Sequence, residues 1–318
     1  MKAKKRDRPG VMVGMQESEK TTISIDGREL SLSNLNKVFY PAKGFTKAQV
    51  IDYYSRIAPA VLPHLRGRPV TLKRYPDGVE GKFFYQKECP VHRPDWLCTA
   101  LVRGEKSERE INFCLLDDIP SLAWAANLAA LELHTSLSLS RDPGTPTVLV
   151  FDLDPGPPAT IIECCWVGLM LRELLQKLDL YCIPKTSGLK GLQVYVPLNN
   201  PVSYDQTKGF ARACAELLEE QHPDLVVSRM AKDLRTGKVF IDWSQNDFHK
   251  TTVCVYSLRA REKPAVSTPL RWDELEAAAQ GRDPELLVFE AAQVIDRFDR
   301  YGDLFAAVAD MKQELPLK

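Results

Sequence analysis

The stretch VLVFDLDPG, residues 148–156, places two aspartates at the end of an apolar run. Side chains on a β-strand alternate between faces, so Asp152 and Asp154 would share one face, roughly 7 Å apart along the strand. Two ionised carboxylates at that separation repel each other unless a cation offsets their charge. The pair therefore indicates either a divalent-metal site or a solvated acidic strand end, and the motif alone leaves both open.

A second apolar stretch, KVFIDWSQN, ends in a single aspartate, Asp242. If its strand lies beside the first, three carboxylates meet, which is the arrangement that two-metal nucleotidyl transfer requires. The two ions then activate an attacking hydroxyl and stabilise the leaving pyrophosphate. The adjacency of the two strands is an expectation here.

The stretch KTSGLKGLQVYV, residues 185–196, predicts a strand, a glycine-rich loop and a second strand. Glycines let backbone N–H groups approach an anion, the Ser187 hydroxyl is a donor, and Lys190 carries a compact positive charge. The loop lacks the GxxxxGK[ST] pattern and the following helix of a Walker A motif. It predicts a phosphate-binding turn, with an ordinary hairpin turn as the alternative.

Two basic regions suit nucleic acid. In SNLNKVFYPAKGFTK, Lys37, Lys43 and Lys47 surround the predicted start of a helix, whose free N–H groups favour an anion such as a DNA end phosphate. The stretch GRPVTLKRYPDGVEGKFFYQK interleaves basic residues with aromatic rings, which suits bases and strand ends. A half-buried hairpin with a solvated basic face is the alternative. His134, in LELHTSLS, is on its own typical of a hydrogen-bonded core histidine.

The elements that must position these groups alternate without a regular βαβ rhythm. The pair Asp26-Gly27 predicts a hairpin over 22–32, and two capping boxes predict helices that begin after Thr46 and Thr160. Several predicted strands are joined as hairpins. The pattern therefore predicts an α+β chain whose sheets form a cleft.

The composition is that of a globular protein large enough for one elaborate domain or two lobes. The 318 residues are 44% hydrophobic, and Lys+Arg and Asp+Glu both number 42, so net charge neither favours nor excludes nucleic acid. No apolar run approaches the ~20 residues of a membrane span, and the start lacks the apolar region of a signal peptide. The basic start MKAKKRDRPG predicts a flexible tail over residues 1–20, followed by one folded domain over 21–310.

The cysteines are scattered and include no CxxC pair, which predicts reduced, mostly buried thiols of a cytosolic protein. Cys89, His92 and Cys98 lie close together in the sequence and are three candidate zinc ligands. No fourth candidate has matching spacing, so a chance grouping is favoured over a zinc site.

Together and in this order, the motifs resemble the polymerase domain of bacterial ligase D, in the archaeo-eukaryotic primase superfamily. The resemblance runs from LSNLNKVFYP to RWDEL and includes GRPVTLKRYPDG, FDLDPG, TSGLKGL, VFIDWSQN and KTTVCVYSLRAR. It implies a two-lobed α+β primase-polymerase fold, with mixed and antiparallel sheets flanked by helices around a central active-site cleft. It also implies a metal-dependent nucleotidyltransferase of non-homologous end joining.

The resemblance implies roles for individual residues. The catalytic residues, which would carry two Mn²⁺ or Mg²⁺ ions, are Asp152, Asp154 and Asp242. The implied nucleotide-binding residues are Lys73, Phe84, Ser187, Lys190, Gln193, Gln245 and Arg259. The residues implied to hold a downstream 5′-phosphate are Asn34, Lys37 and Lys47. Phe84 resembles the aromatic residue that stacks on the incoming base, and His134 matches a histidine near the active site.

The sequence departs from the family in the phosphate loop, which usually contains S-G-S-K-G-L-H. Leu189 replaces the second serine and Gln193 replaces the histidine. Glutamine hydrogen-bonds but carries no positive charge, so weaker triphosphate binding or an altered metal preference is expected. The stretch LELHTSLS also lacks a Pro-Trp pair that is common in that region.

The implied reaction is attack by a DNA 3′-hydroxyl on the α-phosphorus of an NTP or dNTP, preferably a ribonucleotide, with release of pyrophosphate. The implied DNA substrates are breaks and short gaps with a 5′-phosphate. The implied protein partners are a Ku-like end binder and a separate DNA ligase, without a membrane, in the cytoplasm at the nucleoid. No ligase or nuclease signature follows in the sequence, which predicts a stand-alone polymerase or an excised domain.

Two alternatives belong to other functional classes. A phosphohydrolase of the haloacid-dehalogenase type has a DxDxT motif similar to FDLDPG, although Gly156 stands where that family has threonine. A noncatalytic DNA-end-binding module is the other, with Gln193 as the mark of lost catalysis.

Overall fold

A computed structural model describes residues 20–103 and 109–316. The predicted basic tail falls almost wholly outside these described residues, and Lys20 is already the first residue of a strand. The α-helices of the described residues are α1 (Lys47–Leu65), α2 (Ile119–Asn127), α3 (Ile161–Gln176), α4 (Tyr204–Gln221), α5 (Trp272–Gly281), α6 (Ala291–Tyr301) and α7 (Ala307–Asp310). The strands are β1 (Lys20–Ile25), β2 (Arg28–Ser33), β3 (Val38–Tyr40), β4 (Phe45–Thr46), β5 (Val70–Arg74), β6 (Phe84–Gln86), β7 (Thr99–Arg103), β8 (Glu110–Cys114), β9 (Ala130–Thr135), β10 (Ser138–Leu139), β11 (Asp142–Pro146), β12 (Val148–Pro155), β13 (Ile183–Thr186), β14 (Leu192–Pro197), β15 (Val226–Val227), β16 (Val239–Asp242), β17 (Thr252–Val253), β18 (Leu258–Ala260) and β19 (Pro264–Val266).

One sheet has five strands in the order β13-β14-β12-β16-β15. Its pairs are antiparallel except for β15 with β16, which is parallel. Leu149, Phe151 and Leu153 point to one face of β12 and are fully buried in a core that includes α3 and α4 side chains. Because successive side chains alternate, the polar residues of β12 are presented on the opposite face.

The other large sheet has the order β17-β9-β5-β8-β7, and β6 adds a further pair on β5. Helix α1 packs against α2 and buries Val50, Tyr54, Ile57 and Val61, which recur at helical spacing. These side chains belong to a second hydrophobic core that also contains Leu72 of β5. The described residues thus have two cores. One lies on the Leu149 face of the five-stranded sheet, and the other also includes Val148 and Val150 from the opposite face of β12.

Several local predictions are confirmed. Asp26 and Gly27 connect β1 to β2 with φ values of 48° and 75°, which is the conformation that a tight hairpin turn requires. Thr46 and Thr160 both form the predicted capping boxes at the starts of α1 and α3. The α+β class with mixed and antiparallel sheets is confirmed. In the described ranges, no helix combines the length and the apolar character needed to span a bilayer.

The prediction that the cysteines are reduced is wrong for two of them, because Cys89 and Cys114 form a disulfide. The Cys89 N–H donates to the Asn112 carbonyl at 2.7 Å, which holds the loop after β6 beside β8 and brings the two Cα atoms within 5.0 Å. Cys89 is therefore bonded to Cys114 rather than grouped with His92 and Cys98. The other six cysteines are free thiols, of which only Cys98 is exposed.

Candidate active site

Three carboxylates meet where β12 pairs with β16. Asp152 is the direct cross-strand partner of Asp242, and Asp154 follows two residues later on the same face of β12. The structure therefore places side by side two aspartate-bearing strands that lie more than 80 residues apart in the sequence.

The electrostatics of this aspartate cluster are unfavourable without a cation. Burial and then the Asp154 charge raise the pKa of Asp152 well above the usual range of an aspartate. Burial and Asp242 likewise raise the pKa of Asp154, against an opposing effect of Lys190. Carboxylates that share a buried site respond in this way, and their oxygens are the ligands that hard divalent cations prefer.

The Asp242 carboxylate is engaged by its neighbours. Its Oδ1 accepts hydrogen bonds from the Ser244 N–H at 3.0 Å and from the Ser244 hydroxyl. Its Oδ2 lies 3.4 Å from Gln245 Nε2 and 3.9 Å from Lys250 Nζ. Over residues 20–103 and 109–316, no three His, Cys, Asp or Glu side chains are already grouped as ligands of one metal ion. An ion shared with Asp152 would therefore compete with these neighbours for the Asp242 carboxylate.

Gln193 lies opposite Asp152 on β14 and donates its Nε2 hydrogen to Asp152 Oδ1 at 3.1 Å. Its other polar atom, Oε1, is buried without a hydrogen-bond partner. A buried acceptor left unpaired costs about 1–3 kcal/mol. A cation or a donor that binds beside the aspartates would satisfy this oxygen, so the donor set fits a divalent-metal site.

The glycine-rich loop between β13 and β14 is closed by a serine. Ser187 Oγ accepts hydrogen bonds from the N–H groups of Leu189 at 3.3 Å and Gly191 at 3.1 Å. Both bonds use its lone pairs, which leaves the hydroxyl hydrogen to be donated to an anion. Gly188 has a φ of 72°, a conformation that favours glycine.

This loop packs directly on the elements around it. A Cβ at Gly191 would lie 2.4 Å from the Leu153 carbonyl oxygen of β12, and one at Gly188 would lie 2.6 Å from Arg259 Cγ. Lys190 is near enough to Asp154 to lower the pKa of that carboxyl. The predicted phosphate loop therefore lies beside the aspartate cluster.

Gly156 ends the FDLDPG motif beneath the segment that leads into β16. A Cβ at this position would lie 1.9 Å from the Arg235 carbonyl oxygen. No side chain fits there without movement of that backbone. The threonine of a haloacid-dehalogenase motif is thus excluded by packing as well as by sequence.

A buried glutamate on β9, Glu132, gathers three predicted site residues. His134 Nε2 lies 3.0 Å from Glu132 Oε2, Lys73 Nζ lies 3.4 Å from Oε1, and Arg259 Nη2 lies 3.6 Å from Oε2. Burial raises the pKa of Glu132, but the His134 hydrogen bond and the two cations bring it down to about 2. Burial lowers the pKa of His134, so its ring is neutral at neutral pH.

Glu132 was not predicted from the sequence. Its only sequence signal is an acidic residue at an interior position of the apolar strand, two residues before His134. The predicted nucleotide-binding residues thus include a group around Glu132 and a group in the glycine-rich loop. Arg259 links the two groups, because it contacts Glu132 and also packs on Gly188.

The predicted stacking residue, Phe84, is 45% exposed and available to a base. The Lys73 side chain is more restricted, because its Nζ lies among three other aromatic rings. The distances to the ring centres are 4.3 Å for Phe83, 5.3 Å for Tyr75 and 5.5 Å for Tyr85. These cation–π contacts fix the ammonium next to the exposed aromatic surface.

The predicted 5′-phosphate residues also come together. Asn34 turns the chain with a φ of 54°, and its carbonyl accepts the Lys37 N–H at 3.0 Å. The Lys37 carbonyl in turn accepts the Lys47 N–H at 2.8 Å, at the first residue of α1. Lys47 is buried with its Nζ 2.6 Å from the Ser33 carbonyl, and burial together with the Lys37 charge lowers its pKa to about 8. The Lys37 ammonium is paired with Asp77 Oδ1 at 2.8 Å but still acts on Lys47, so an anion bound here would offset the repulsion between the two lysines.

The sequence of this chain matches that of a known protein family. Residues 46–305 match the sequence model of the LigD primase-polymerase domain. The chain belongs to this family. The family resemblance predicted from the motifs, that of a LigD primase-polymerase domain, is confirmed.

Its relatives are longer proteins. The chain is 44% identical over 277 residues to the multifunctional non-homologous end joining protein LigD of Mycolicibacterium smegmatis, covering 86% of this chain and 35% of that protein. It is 30% identical over 290 residues to the bifunctional LigD of Bacillus subtilis, covering 91% of this chain and 46% of that one. The chain therefore spans between about a third and a half of the length of these relatives.

A solved structure matches most of the chain. It is the polymerase domain of Mycobacterium tuberculosis ligase D in complex with DNA. The TM-score is 0.83 at 40% identity, and the match covers 89% of this chain and 99% of that domain. The fold described above is therefore that of the polymerase domain of ligase D.

Proposed function

We propose that this domain adds nucleotides to the 3′-hydroxyl at DNA breaks and short gaps in non-homologous end joining. The observation that supports it best is the cross-strand pairing of Asp152 with Asp242 beside the Ser187–Lys190 loop. Nucleotidyl transfer needs carboxylates next to groups that bind the triphosphate. The end-joining role is supported by the relatives, which are end joining proteins, and DNA binding by the Mycobacterium tuberculosis domain, which was solved in complex with DNA.

Two divalent ions, Mn²⁺ or Mg²⁺, would be held by Asp152, Asp154 and Asp242, with the unpaired Gln193 oxygen beside them. When bound, they would supply the positive charge that activates the 3′-hydroxyl and stabilises the leaving pyrophosphate. Gln193 keeps the Asp152 carboxylate oriented through its own hydrogen bond.

The protein's own groups would bind and orient the nucleotide. The Ser187 hydroxyl and Lys190 would contact the triphosphate at the loop, and Arg259 would contact it from the other side of Gly188. Phe84 offers an exposed ring for the base, and Lys73 places a charge beside that surface. Gln245 lies next to Asp242, where it could contact the nucleotide sugar or phosphates. A preference for ribonucleotides is proposed from the family resemblance.

The Asn34–Lys37–Lys47 cluster would bind the 5′-phosphate on the far side of a gap, since its two lysines are held together at a helix start. The proposed protein partners are a Ku-like end binder and a DNA ligase. The proposed location is the cytoplasm, at the nucleoid, where DNA ends occur.

A gapped duplex with a 5′-phosphate tests the proposal. It is incubated with NTPs or dNTPs and with Mn²⁺ or Mg²⁺, and primer extension is compared among wild type, Asp152→Ala and the control Asp205→Asn. Asp205 is an exposed carboxylate on α4, so its replacement should leave extension unchanged. Equal extension by wild type and Asp152→Ala would refute the aspartate site. Tight binding of the gapped DNA without any extension would instead favour the noncatalytic end-binding module.

A further inference from the structure

We propose that Glu132 is a positioning residue that holds Lys73 and Arg259 in the geometry needed to receive the phosphates of a nucleotide. The inference rests on the proposed function, because it takes these two side chains to be nucleotide contacts. Glu132 itself would not touch the nucleotide, since a carboxylate repels phosphate.

The first oxygen of the carboxylate joins two strands. Glu132 Oε1 accepts from Lys73 Nζ at 3.4 Å, from the Tyr75 hydroxyl at 3.2 Å and from the Ala260 N–H at 3.2 Å. Lys73 belongs to β5 and Ala260 to β18, and both strands contact β9, which carries Glu132. The bond to Ala260 therefore fixes the backbone immediately next to Arg259.

The second oxygen holds the side chains that follow. Glu132 Oε2 lies 3.0 Å from His134 Nε2 and 3.6 Å from Arg259 Nη2. The glutamate side chain is 1% exposed, so water does not replace these partners. Both oxygens are thus fully committed to holding other groups.

The charge balance leaves a net positive site. One carboxylate faces two basic side chains, and the His134 ring adds no third positive charge because burial lowers its pKa. Arg259 Nε is also buried without a hydrogen-bond partner, so one donor of the guanidinium remains for a ligand. A polyphosphate would offset the excess charge and accept this hydrogen bond.

The cluster is coupled to the phosphate loop through packing. Arg259 Cγ lies against Gly188, where even a Cβ would approach it to 2.6 Å. A shift of the guanidinium would therefore displace the loop that carries Ser187 and Lys190.

Replacing the charge separates positioning from simple electrostatics. If Glu132 acted only through its charge, Glu132→Gln would strengthen the binding of an anionic nucleotide. The positioning role predicts the opposite, because Lys73 and Arg259 lose the group that orients them. The variant should raise the nucleotide KM about tenfold, with kcat changed less than about threefold.

The test is calorimetric titration of the full chain with a triphosphate whose α–β bridging oxygen is replaced by methylene, so that no turnover occurs. Asp303→Asn is the matched control, because Asp303 is a largely buried carboxylate, 13% exposed, with a histidine and a tyrosine partner of its own. We expect Glu132→Gln to bind about tenfold more weakly and Asp303→Asn to bind as wild type does. Glu132→Asp keeps the charge on a shorter side chain and should bind with an intermediate affinity, which keeps the test informative if Glu132→Gln does not fold.

A double-mutant cycle gives the second readout. In a Lys73→Ala/Arg259→Ala background, Glu132→Gln should change the affinity by less than about twofold, since the groups through which it acts are gone. Binding by wild type together with unchanged or tighter binding by Glu132→Gln would overturn the inference and leave the proposed function standing. A wild type that binds no triphosphate would instead overturn the proposed function.

Discussion

Asp152 and Asp242 are direct partners across the antiparallel pair formed by β12 and β16. Like charges directly opposite each other on neighbouring strands destabilise a sheet. Gln193, on the other side of Asp152, offers that carboxylate a hydrogen bond but no positive charge. The repulsion between Asp152 and Asp242 therefore destabilises the sheet at the position where the proposed reaction needs its carboxylates.

Asp152→Asn should remove nucleotide incorporation and raise Tm when divalent ions are chelated. The pKa of Asp152 is raised from 3.8 to about 7, so protonation stabilises the folded chain fully below 3.8, and this stabilisation is lost as pH rises through about 7. The gain in Tm should therefore be largest near pH 8 and vanish below pH 4. The gain in stability should be roughly 1 kcal/mol or more, because each pKa unit is worth about 1.4 kcal/mol.

Thermal unfolding at several pH values checks this gain, with Asp205→Asn as control. A lower Tm for Asp152→Asn at pH 8 would contradict it.

Gly188→Ala should impair nucleotide binding. The new Cβ would lie 2.6 Å from Arg259 Cγ and 2.9 Å from the Ser267 nitrogen, at a φ of 72° that disfavours any side chain. Both the loop and Arg259 must shift, so the nucleotide KM should rise at least about tenfold. Gly281→Ala is the control, since it lies at the end of α5 with nothing within 4 Å of the added Cβ. Equal KM values for the two variants would count against the packing of the loop on Arg259.

Gln193→His should strengthen triphosphate binding. Histidine can still donate to Asp152, and its protonated form adds a charge that glutamine lacks. A gain of about 1 kcal/mol, or about fivefold in nucleotide KM, is expected. Gln193→Leu, which leaves Asp152 without its donor, should weaken binding. Primer extension over a range of nucleotide concentrations, in Mn²⁺ and in Mg²⁺, measures both effects. A KM for Gln193→His at or above that of wild type would show that glutamine already performs the role.

The parts of this fold that the sequence predicted depend on local signals. The Asp26-Gly27 turn and the Thr46 and Thr160 caps are determined within about four residues, and each lies where the pattern placed it. Alternation along β12 likewise placed Asp152 and Asp154 on one face. Such features need no knowledge of distant chain segments.

The rest depends on segments that meet only in the folded chain. Glu132 gains its partners from β5 and β18, which are separated by more than 180 residues in the sequence. Cys89 meets Cys114 because a loop packs beside β8, and no CxxC spacing announces that pairing. From the sequence, the adjacency of the strands that carry Asp152 and Asp242 is a hypothesis. The order of the strands in the sheet confirms it. Long-range pairing of this kind has no signature in a single sequence.

Lys37→Ala should abolish the preference for a 5′-phosphate over a 5′-hydroxyl in gapped DNA. In wild type the preference should weaken as pH rises through about 8, because burial and Lys37 lower the pKa of Lys47 to that value and its charge is lost above it. The variant should also show a shallower dependence of affinity on salt, by about one unit of slope for each phosphate that the protein no longer neutralises.

Fluorescence anisotropy with the two gapped duplexes measures all three effects. Lys177→Ala, an exposed lysine after α3, is the control. A preference that persists in Lys37→Ala would remove these lysines from the DNA interface.

Asp303→Asn should destabilise the protein at neutral pH by about 2 kcal/mol, because a largely buried charged acceptor with three partners is removed. Asp303 accepts hydrogen bonds from His64 Nε2 at 2.9 Å, from the Tyr256 hydroxyl at 2.7 Å and from the Phe305 N–H at 2.9 Å.

Burial raises the pKa of Asp303, but the His64 contact and the Tyr256 bond outweigh it and hold the pKa below 3.8. The stabilisation is therefore present above pH 3.8 and is lost as pH falls through the lower folded value. The difference in unfolding free energy between wild type and Asp303→Asn should thus shrink below pH 4. Urea unfolding from pH 7 to pH 2 measures it. A difference that persists unchanged below pH 4 would contradict the lowered pKa of Asp303.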